Sequence, residues 1–191
     1  ISWMTSGGVE QFEAGWLIGA DGGRSTVRQS MGVPFDGYTW PVPCVVASTT
    51  FDFAPHGYTM NAYVADPEEW VAMFKMPDDG PPGLWRVIWP VPPEEDEAAT
   101  LGDANIERHV QRFQPKAGSY PVKYRGIYRV HQRVARDFRA GRALLAGDAA
   151  HLNNPIGAFG LNGGIHDAIN LAGKLAAVCR GEAGAGVVDL Y

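Results

Sequence analysis

The chain has 191 residues, of which 46% are apolar and 19% charged, and its formal net charge is −5. This is the composition of a globular protein with a core of its own, and it excludes a disordered chain. Basic and acidic residues are interspersed, so the sequence predicts neither a nucleic-acid partner nor an anionic membrane surface as partner.

The two cysteines, Cys44 and Cys179, are far apart and form no CxxC pattern. We therefore predict two buried, reduced thiols and no disulfide scaffold, and the few histidines show no metal-ligand spacing. No apolar run reaches the roughly 20 residues of a membrane span, and no signal peptide is recognisable. The expectation is a soluble cytoplasmic protein without a metal site.

The chain starts without an initiator Met, in what is predicted to be a β-hairpin: ISWMT and VEQFEA flank an SGG turn. An apolar run, residues 16–20, then ends at Asp21. A glycine pair follows, and STVRQSM predicts a short helix that stops at Gly32. The order is thus strand, acidic glycine turn and helix, and we expect the chain to be a fragment of a longer protein.

The hydrophobic pattern changes to period two between about residues 41 and 92, and a strong turn signal, PDDGPPG, separates two of the runs. We predict an antiparallel meander. The aromatic residues expected in its core are Trp70, Phe74, Trp85 and Trp89.

An acidic stretch, residues 92–103, is predicted to be a solvated connector. Asp103 is a candidate cap for a helix that runs to about Phe113. The segment VKYRGIYRV predicts one further strand before a second apolar run, residues 143–146.

This second run stops abruptly at Asp148 and is followed by a glycine-rich segment. Apolar residues then recur at i, i+3 and i+4, which predicts an amphipathic helix. The face expected to be buried comprises Leu161, Ile165, Ala168, Ile169, Ala172, Leu175, Ala176 and Cys179. Gly163, Gly164 and Gly173 each cost this helix about 1 kcal/mol relative to alanine, so the close approach of a ligand or of another backbone is expected.

The chain therefore contains two similar segments, each with a strand, an acidic turn and a helix, and the meander lies between them. We predict a mixed α/β (α+β) fold with two lobes. Residues 1–39 and 131–191 form an α/β lobe, and residues 40–130 form an antiparallel β lobe.

An aspartate at the carboxyl end of a strand in an α/β sheet lies at the crevice where ligands bind. Its carboxylate accepts hydrogen bonds from polyol hydroxyls, and the start of a helix favours anionic or electron-rich ligand atoms. Glycines leave room for a flat ring. From spacing alone, a helix cap and a flavin dinucleotide site are equally good interpretations of Asp148.

Two motifs resemble those of the FAD-dependent aromatic hydroxylases, the single-component flavoprotein monooxygenases typified by p-hydroxybenzoate and phenol hydroxylases. GADGGRSTVR (19–28) is similar to the DG motif of that family, and residues 142–178 are similar to its GD motif and the following helix. No GxGxxG follows a strand in this sequence. Since the family carries that fingerprint first in the chain, the resemblance implies a segment upstream of Ile1.

The resemblance implies FAD as cofactor and NADPH or NADH as co-substrate. It places Asp148 at the ribityl part of FAD and the helix start against the isoalloxazine ring, with Asp21 and its neighbours supporting the site. The implied cofactor-binding residues are Asp21, Gly22, Arg28, Gly147, Asp148, Pro155, Gly157, Gly160, Leu161 and Asn162.

The activity implied by the resemblance is hydroxylation of a phenol-like or polycyclic aromatic substrate by O₂, through a flavin hydroperoxide. The sheet of residues 42–90 would face this substrate, and assembly into a homo-oligomer is left open. Two alternatives remain: a reductase, epoxidase or halogenase of the same fold, and a fragment that holds no cofactor and is inactive alone.

No catalytic residue is assigned from the sequence. His151 is expected to be structural rather than to transfer protons. Arg86 is interpreted as a solvated strand residue in preference to a partner of a substrate carboxylate.

Overall fold

The computed structural model describes residues 2–5, 7–157 and 159–191. The chain divides into two compact units. We call Ile1–Thr39 together with His131–Tyr191 the terminal unit, and Trp40–Val130 the central unit. Helices and antiparallel sheets are both present, which confirms the predicted mixed α/β class.

The strands, in chain order, are β1 (Ser2–Thr5), β2 (Gly8–Gln11), β3 (Leu17–Gly19), β4 (Phe35–Thr39), β5 (Cys44–Thr49), β6 (Asn61–Val64), β7 (Val71–Met76), β8 (Leu84–Pro90), β9 (Val122–Tyr128), β10 (His131–Ala135), β11 (Arg139–Ala140), β12 (Ala143–Leu145) and β13 (His151–Leu152). The helices are α1 (Thr26–Ser30), α2 (Glu97–Thr100), α3 (Asp103–Phe113) and α4 (Phe159–Cys179). None of the described helices is long and apolar enough to cross a membrane.

The terminal unit is organised around two neighbouring parallel strands. β3 pairs in parallel with β12, with Gly19 opposite Leu145. A Cβ at Gly19 would lie 2.8 Å from Val27, so the glycine lets α1 pack directly on this strand pair. Because parallel strands end at the same edge of a sheet, the two acidic turns leave the sheet side by side.

Antiparallel pairs complete the terminal unit. β1 and β2 form the predicted hairpin, although Ser6 of its turn lies outside the described residues. β10 lies between β4 and β13 in a separate three-stranded sheet.

The central unit is a five-stranded antiparallel sheet in the order β6-β7-β8-β5-β9. One face of this sheet packs against α3, whose Ile106 and Val110 are each 1% exposed. The core-facing strand residues are Val45, Ala47, Val71, Met73, Trp85, Val87 and Trp89. The antiparallel β lobe predicted from the period-two pattern is present.

Only part of the predicted aromatic core is correct. Trp85 and Trp89 are fully buried at 0% exposure, but Trp70 is 37% exposed. Phe74 alternates with the core residue Met73 along β7 and therefore lies on the opposite face of the sheet. Alternation identified the two faces of each strand, and the wrong face of β7 was assigned to the core.

The cysteine prediction is also only half correct. Cys44 is buried in β5, and burial raises the pKa of its thiol. Cys179, the last residue of α4, is exposed, whereas the preceding residue Val178 packs against the buried cluster that contains Leu171. Both thiols are free.

The apolar face predicted to be buried on α4 is largely exposed. Leu161, Ile165 and Ile169 are 77%, 49% and 71% exposed. The helix packs through Leu171, which is 2% exposed and shares a buried cluster with Leu144 of β12. Leu175, which belongs to the predicted face, is partly buried against the same cluster.

The acidic connector contains a short helix that the sequence reading missed. Asp96 caps α2 by accepting a hydrogen bond from the backbone N–H of Ala99 at 2.9 Å. Asp103 is the first residue of α3 and not its cap, since Gly102 occupies that position. The Asp103 carboxylate pairs with Arg125 of β9 instead.

Candidate functional site

The acidic turn after β3 accepts hydrogen bonds from the start of α1, whose N-cap residue is Ser25. The Asp21 carboxylate accepts hydrogen bonds from the backbone N–H groups of Thr26 at 2.7 Å and Val27 at 3.1 Å, and from the Ser25 hydroxyl. Gly22 has a φ of +82°, a conformation that favours glycine. Burial acts to raise the pKa of Asp21, but these hydrogen bonds outweigh it and the pKa is lowered from its ordinary value. Asp21 is thus engaged by α1.

Arg28 connects the two acidic turns. Its side chain is buried and donates to the backbone oxygen of Gly23 at 2.9 Å and to that of Ala149 at 2.8 Å. The guanidinium also lies over the ring of Phe35, 3.7 Å from its centroid. Because the Arg28 guanidinium donates to the backbone of both acidic turns, it fixes the position of one turn relative to the other.

The acidic turn after β12 is different, because its carboxylate is free. Asp148 is exposed in the 3-10 turn Gly147–Ala149, and it makes no hydrogen bond or ion pair with any residue that the structure describes. Ala146 occupies the cap position of this turn, and there is no side-chain cap. The helix-cap interpretation of Asp148 therefore fails.

Asp167 of α4 anchors the second turn. Its Oδ2 accepts from the backbone N–H of Gly147 at 2.9 Å and lies 2.7 Å from Nε2 of His151. Because an ionised carboxylate only accepts, Nε2 carries the proton, and the other ring nitrogen lies 3.2 Å from the side-chain amide nitrogen of Asn153. Both nitrogens of His151 have protein partners, as a structural histidine requires.

The glycines of α4 explain how the helix reaches this turn. A Cβ at Gly163 would lie 3.2 Å from Cε1 of His151, and one at Gly164 would lie 3.5 Å from Cα of Gly147. The expected close approach of another backbone is therefore found. Sequence reasoning missed Asp167, although it lies one helical turn after these two glycines and so on the same helix face.

The other residues of the implied site lie on the segment that leads into α4. Pro155 and Gly157 are exposed in a 3-10 turn, and Asn162 is exposed in the first turn of α4. Gly160 has nothing within 4 Å of the position that a Cβ would occupy. α4 contacts the Gly147–Ala149 turn, so this segment and the free carboxylate belong to one region of the terminal unit.

A family profile described as FAD binding domain matches residues 3–191, almost the whole chain. The chain belongs to this family. The predicted relationship to FAD-dependent aromatic hydroxylases is confirmed by the relatives that the chain matches.

Among these relatives is para-nitrophenol 4-monooxygenase of Pseudomonas sp. (strain WBC-3), which is 41% identical over 198 residues, covering 100% of this chain and 47% of that protein. The 3-(3-hydroxy-phenyl)propionate/3-hydroxycinnamic acid hydroxylase of Mycolicibacterium smegmatis is 37% identical over 184 residues, covering 96% of this chain and 32% of that protein. This FAD-binding-domain chain thus spans about half the length of the relatives it matches, or less.

Solved structures of hydroxylases and monooxygenases also match this chain. The crystal structure of p-nitrophenol 4-monooxygenase from Pseudomonas putida DLL-E4 matches with a TM-score of 0.88 and 39% identity, over 100% of this chain and 48% of that one. A ternary complex of aklavinone-11 hydroxylase with FAD and aklavinone matches with a TM-score of 0.84 and 27% identity, over 98% of this chain and 36% of that one.

Proposed function

We propose that this chain is part of an FAD-dependent monooxygenase that hydroxylates an aromatic ring with NADPH or NADH and O₂. The observation that carries the proposal is the carboxylate of Asp148 at the carboxyl end of β12, which has no partner among the described residues, in a chain of the FAD-binding-domain family. Para-nitrophenol and hydroxyphenylpropionate, which appear in the names of two relatives, are both phenols. In this proposal the terminal unit holds FAD and the central unit holds the aromatic substrate.

The described residues fit the parts of a flavin dinucleotide. Asp148 offers an acceptor that no described residue occupies, which suits the hydroxyls of a ribityl chain. Pro155 and Leu161 are exposed and Gly160 is open, so a flat ring has access to the backbone here. The positive end of the α4 helix dipole favours an electron-rich ring edge.

FAD, when bound, would supply the redox chemistry that activates O₂ for transfer to the ring. The residues of this chain would bind and orient the cofactor. In this scheme Asp148 contacts it directly, whereas Arg28 and Asp167 are positioning residues, because they hold the two acidic turns and α4 together.

The test of the proposed site is Asp148→Ala in the full-length protein. We expect FAD affinity to fall at least about tenfold, the value of one good hydrogen bond to a charged acceptor. The stability of the apoprotein should change by less than about 0.5 kcal/mol, because this exposed carboxylate contacts none of the described residues through a hydrogen bond or ion pair. Fluorescence titration with FAD and urea unfolding measure the two quantities.

Asp137→Ala is the matched control, since Asp137 is another exposed aspartate of the terminal unit. Equal FAD affinity in the two variants would contradict the role of Asp148. For the reaction, product analysis with NAD(P)H, O₂ and a panel of phenols separates a hydroxylase from a reductase, an epoxidase or a halogenase. A full-length protein that binds no FAD would refute the proposed function altogether.

A further inference from the structure

The segment that leads from β13 into α4, residues 153–157, is held by a side chain of β10. Oε1 of Gln132 accepts from the backbone N–H of Asn154 at 3.0 Å, and Nε2 of Gln132 donates to Oδ1 of Asn153 at 3.4 Å. The same segment contains Pro155 of the implied cofactor site. One glutamine therefore contacts two successive residues directly before that proline.

Asn153 connects this glutamine to α4. Its Nδ2 lies 3.2 Å from Nδ1 of His151, and Nε2 of the histidine lies 2.7 Å from Oδ2 of Asp167. Four side chains thus form one hydrogen-bonded series, which we call the polar chain: Asp167, His151, Asn153 and Gln132. All four belong to the terminal unit. The polar chain runs from the helix to the backbone of residues 153–157.

Asp167 sets the direction of every hydrogen bond in the polar chain. An ionised carboxylate only accepts, so Nε2 of His151 carries the proton, and Nδ1 of the neutral ring accepts. Asn153 then turns its NH₂ group toward the ring and its carbonyl oxygen toward Gln132. Gln132 donates through Nε2 and presents Oε1 to the N–H of Asn154. All the bonds are made together only when Nδ1 of His151 is an acceptor.

Protonation of the histidine removes that acceptor. A protonated imidazole donates from both nitrogens, so two donors face each other at Nδ1 and the Asn153 amide. Rotation of the Asn153 amide moves the mismatch to Gln132. Rotation of Gln132 as well moves it to the N–H of Asn154. In every arrangement one hydrogen bond of the polar chain is lost.

The elements packed against His151 carry several titratable or charged groups. They are Asp167 and His166 of α4, Asp148 of the preceding turn, His131 and Arg133 of β10, and Tyr191. Burial and the charge of Asp167 raise the pKa of Tyr191, so this phenol stays neutral between about pH 5 and 8. Of these groups, Asp167 is hydrogen-bonded to the His151 ring.

We propose that Gln132 and Asn153 are positioning residues of the FAD site, which hold residues 153–157 through a hydrogen-bonded chain whose direction His151 sets. The inference rests on the proposed function, because that function places FAD beside Pro155. Histidine ordinarily changes charge between about pH 5 and 8. FAD should therefore bind more weakly at the acid end of this range, where the polar chain lacks one bond.

The experiment measures the dissociation constant of FAD from the full-length protein at pH 8 and pH 5.5 by fluorescence titration. We expect the wild type to bind about three- to tenfold more weakly at pH 5.5, the value of one neutral hydrogen bond. Gln132→Ala removes the link to Asn154, so it should bind weakly already at pH 8 and match the wild type at pH 5.5. Other groups that titrate in this range affect both proteins alike.

Asn153→Asp should reverse the sign of the pH effect. A carboxylate accepts at both ends, from Nε2 of Gln132 and from Nδ1 of His151 once the ring is protonated. This variant should therefore bind FAD more tightly at pH 5.5 than at pH 8, which a merely structural role of Asn153 would not produce. The matched control is Gln11→Ala, at an exposed glutamine on β2 of the terminal unit, and it should keep the wild-type profile.

Urea unfolding of every variant separates lost positioning from lost structure, and Asn153→Asp carries the test if Gln132→Ala does not fold. Equal FAD affinity of the wild type and Gln132→Ala at pH 8 would overturn the inference, as would a constant ratio between them at the two pH values. Both results leave FAD binding, and with it the proposed function, intact. A full-length protein that binds no FAD at either pH would overturn both.

Discussion

At the scale of single residues, two aspartates at equivalent strand ends have different roles. Asp21 receives hydrogen bonds from the first turn of α1, whereas Asp148 has no partner among the described residues. The difference depends on how soon a helix follows each aspartate in the sequence. α1 begins at Thr26, five residues after Asp21, whereas α4 begins at Phe159, eleven residues after Asp148. Only the nearer helix donates backbone hydrogen bonds to its aspartate.

This difference predicts the effect of Asp21→Ala. Loss of the carboxylate that accepts from the backbone N–H groups of Thr26 and Val27 should reduce the free energy of unfolding by about 1 kcal/mol at pH 7. The pKa of Asp21 is lower in the folded protein, so its stabilisation is complete above the ordinary value of 3.8 and is lost as the pH falls through the folded value. At pH values well below 3.8, the variant and the wild type should therefore differ less in their free energy of unfolding than they do at pH 7. Urea unfolding at pH 7 and in acid measures it, with Asp137→Ala as control. An equal difference at both pH values would contradict the prediction.

At the scale of secondary structure elements, α4 shows why glycines occur inside a helix. Gly163 and Gly164 lie where the helix contacts the Gly147 turn and His151. Gly173 has nothing within 4 Å of the position of a Cβ. The three glycines look alike in the sequence, but packing distinguishes them.

We predict opposite effects of alanine at two of these positions. Gly173→Ala should stabilise the protein by about 1 kcal/mol, the difference in helix propensity. Gly163→Ala should give no gain and should destabilise, because its methyl group would press on a His151 ring that Asp167 and Asn153 hold in place. Urea unfolding of the two variants side by side tests this. Equal stabilisation by both would show that α4 does not depend on the close approach.

At the scale of the whole molecule, each compact unit contains one cysteine. Cys44 lies in the central unit and is 6% exposed, and burial raises the pKa of its thiol. Cys179 lies in the terminal unit and is exposed. The two thiols therefore report on the two units separately.

We predict that a disulfide reagent modifies Cys179 rapidly in the native chain, and that Cys44 reacts only when the central unit opens. The thiolate is the reactive form, so a raised pKa and burial both slow Cys44. Titration of the native protein should consume about one thiol and titration in denaturant two. Cys179→Ser should remove the rapid phase and Cys44→Ser should preserve it. A rapid phase that survives Cys179→Ser would show that Cys44 is accessible.

The sequence by itself determined the order of elements, the period-two meander and the family, because these depend on local periodicity and on short motifs. The alternation Trp85, Arg86, Val87 separated two faces of β8. The i, i+3, i+4 spacing of apolar residues identified α4 as a helix, but it did not identify the side through which that helix packs.

Only the tertiary structure decided which groups are satisfied and which remain free. Arg28 donates to Ala149, a residue 121 positions away. Asp148 and Arg86 differ from Asp21 and Arg125 not in type but in having no partner among the described residues. The physical reason is that hydrogen bonding and burial depend on which distant segments meet. Periodicity within one segment does not indicate which distant segments meet. The tertiary structure was therefore needed to show that Asp148 and Arg86 have no partner among the described residues.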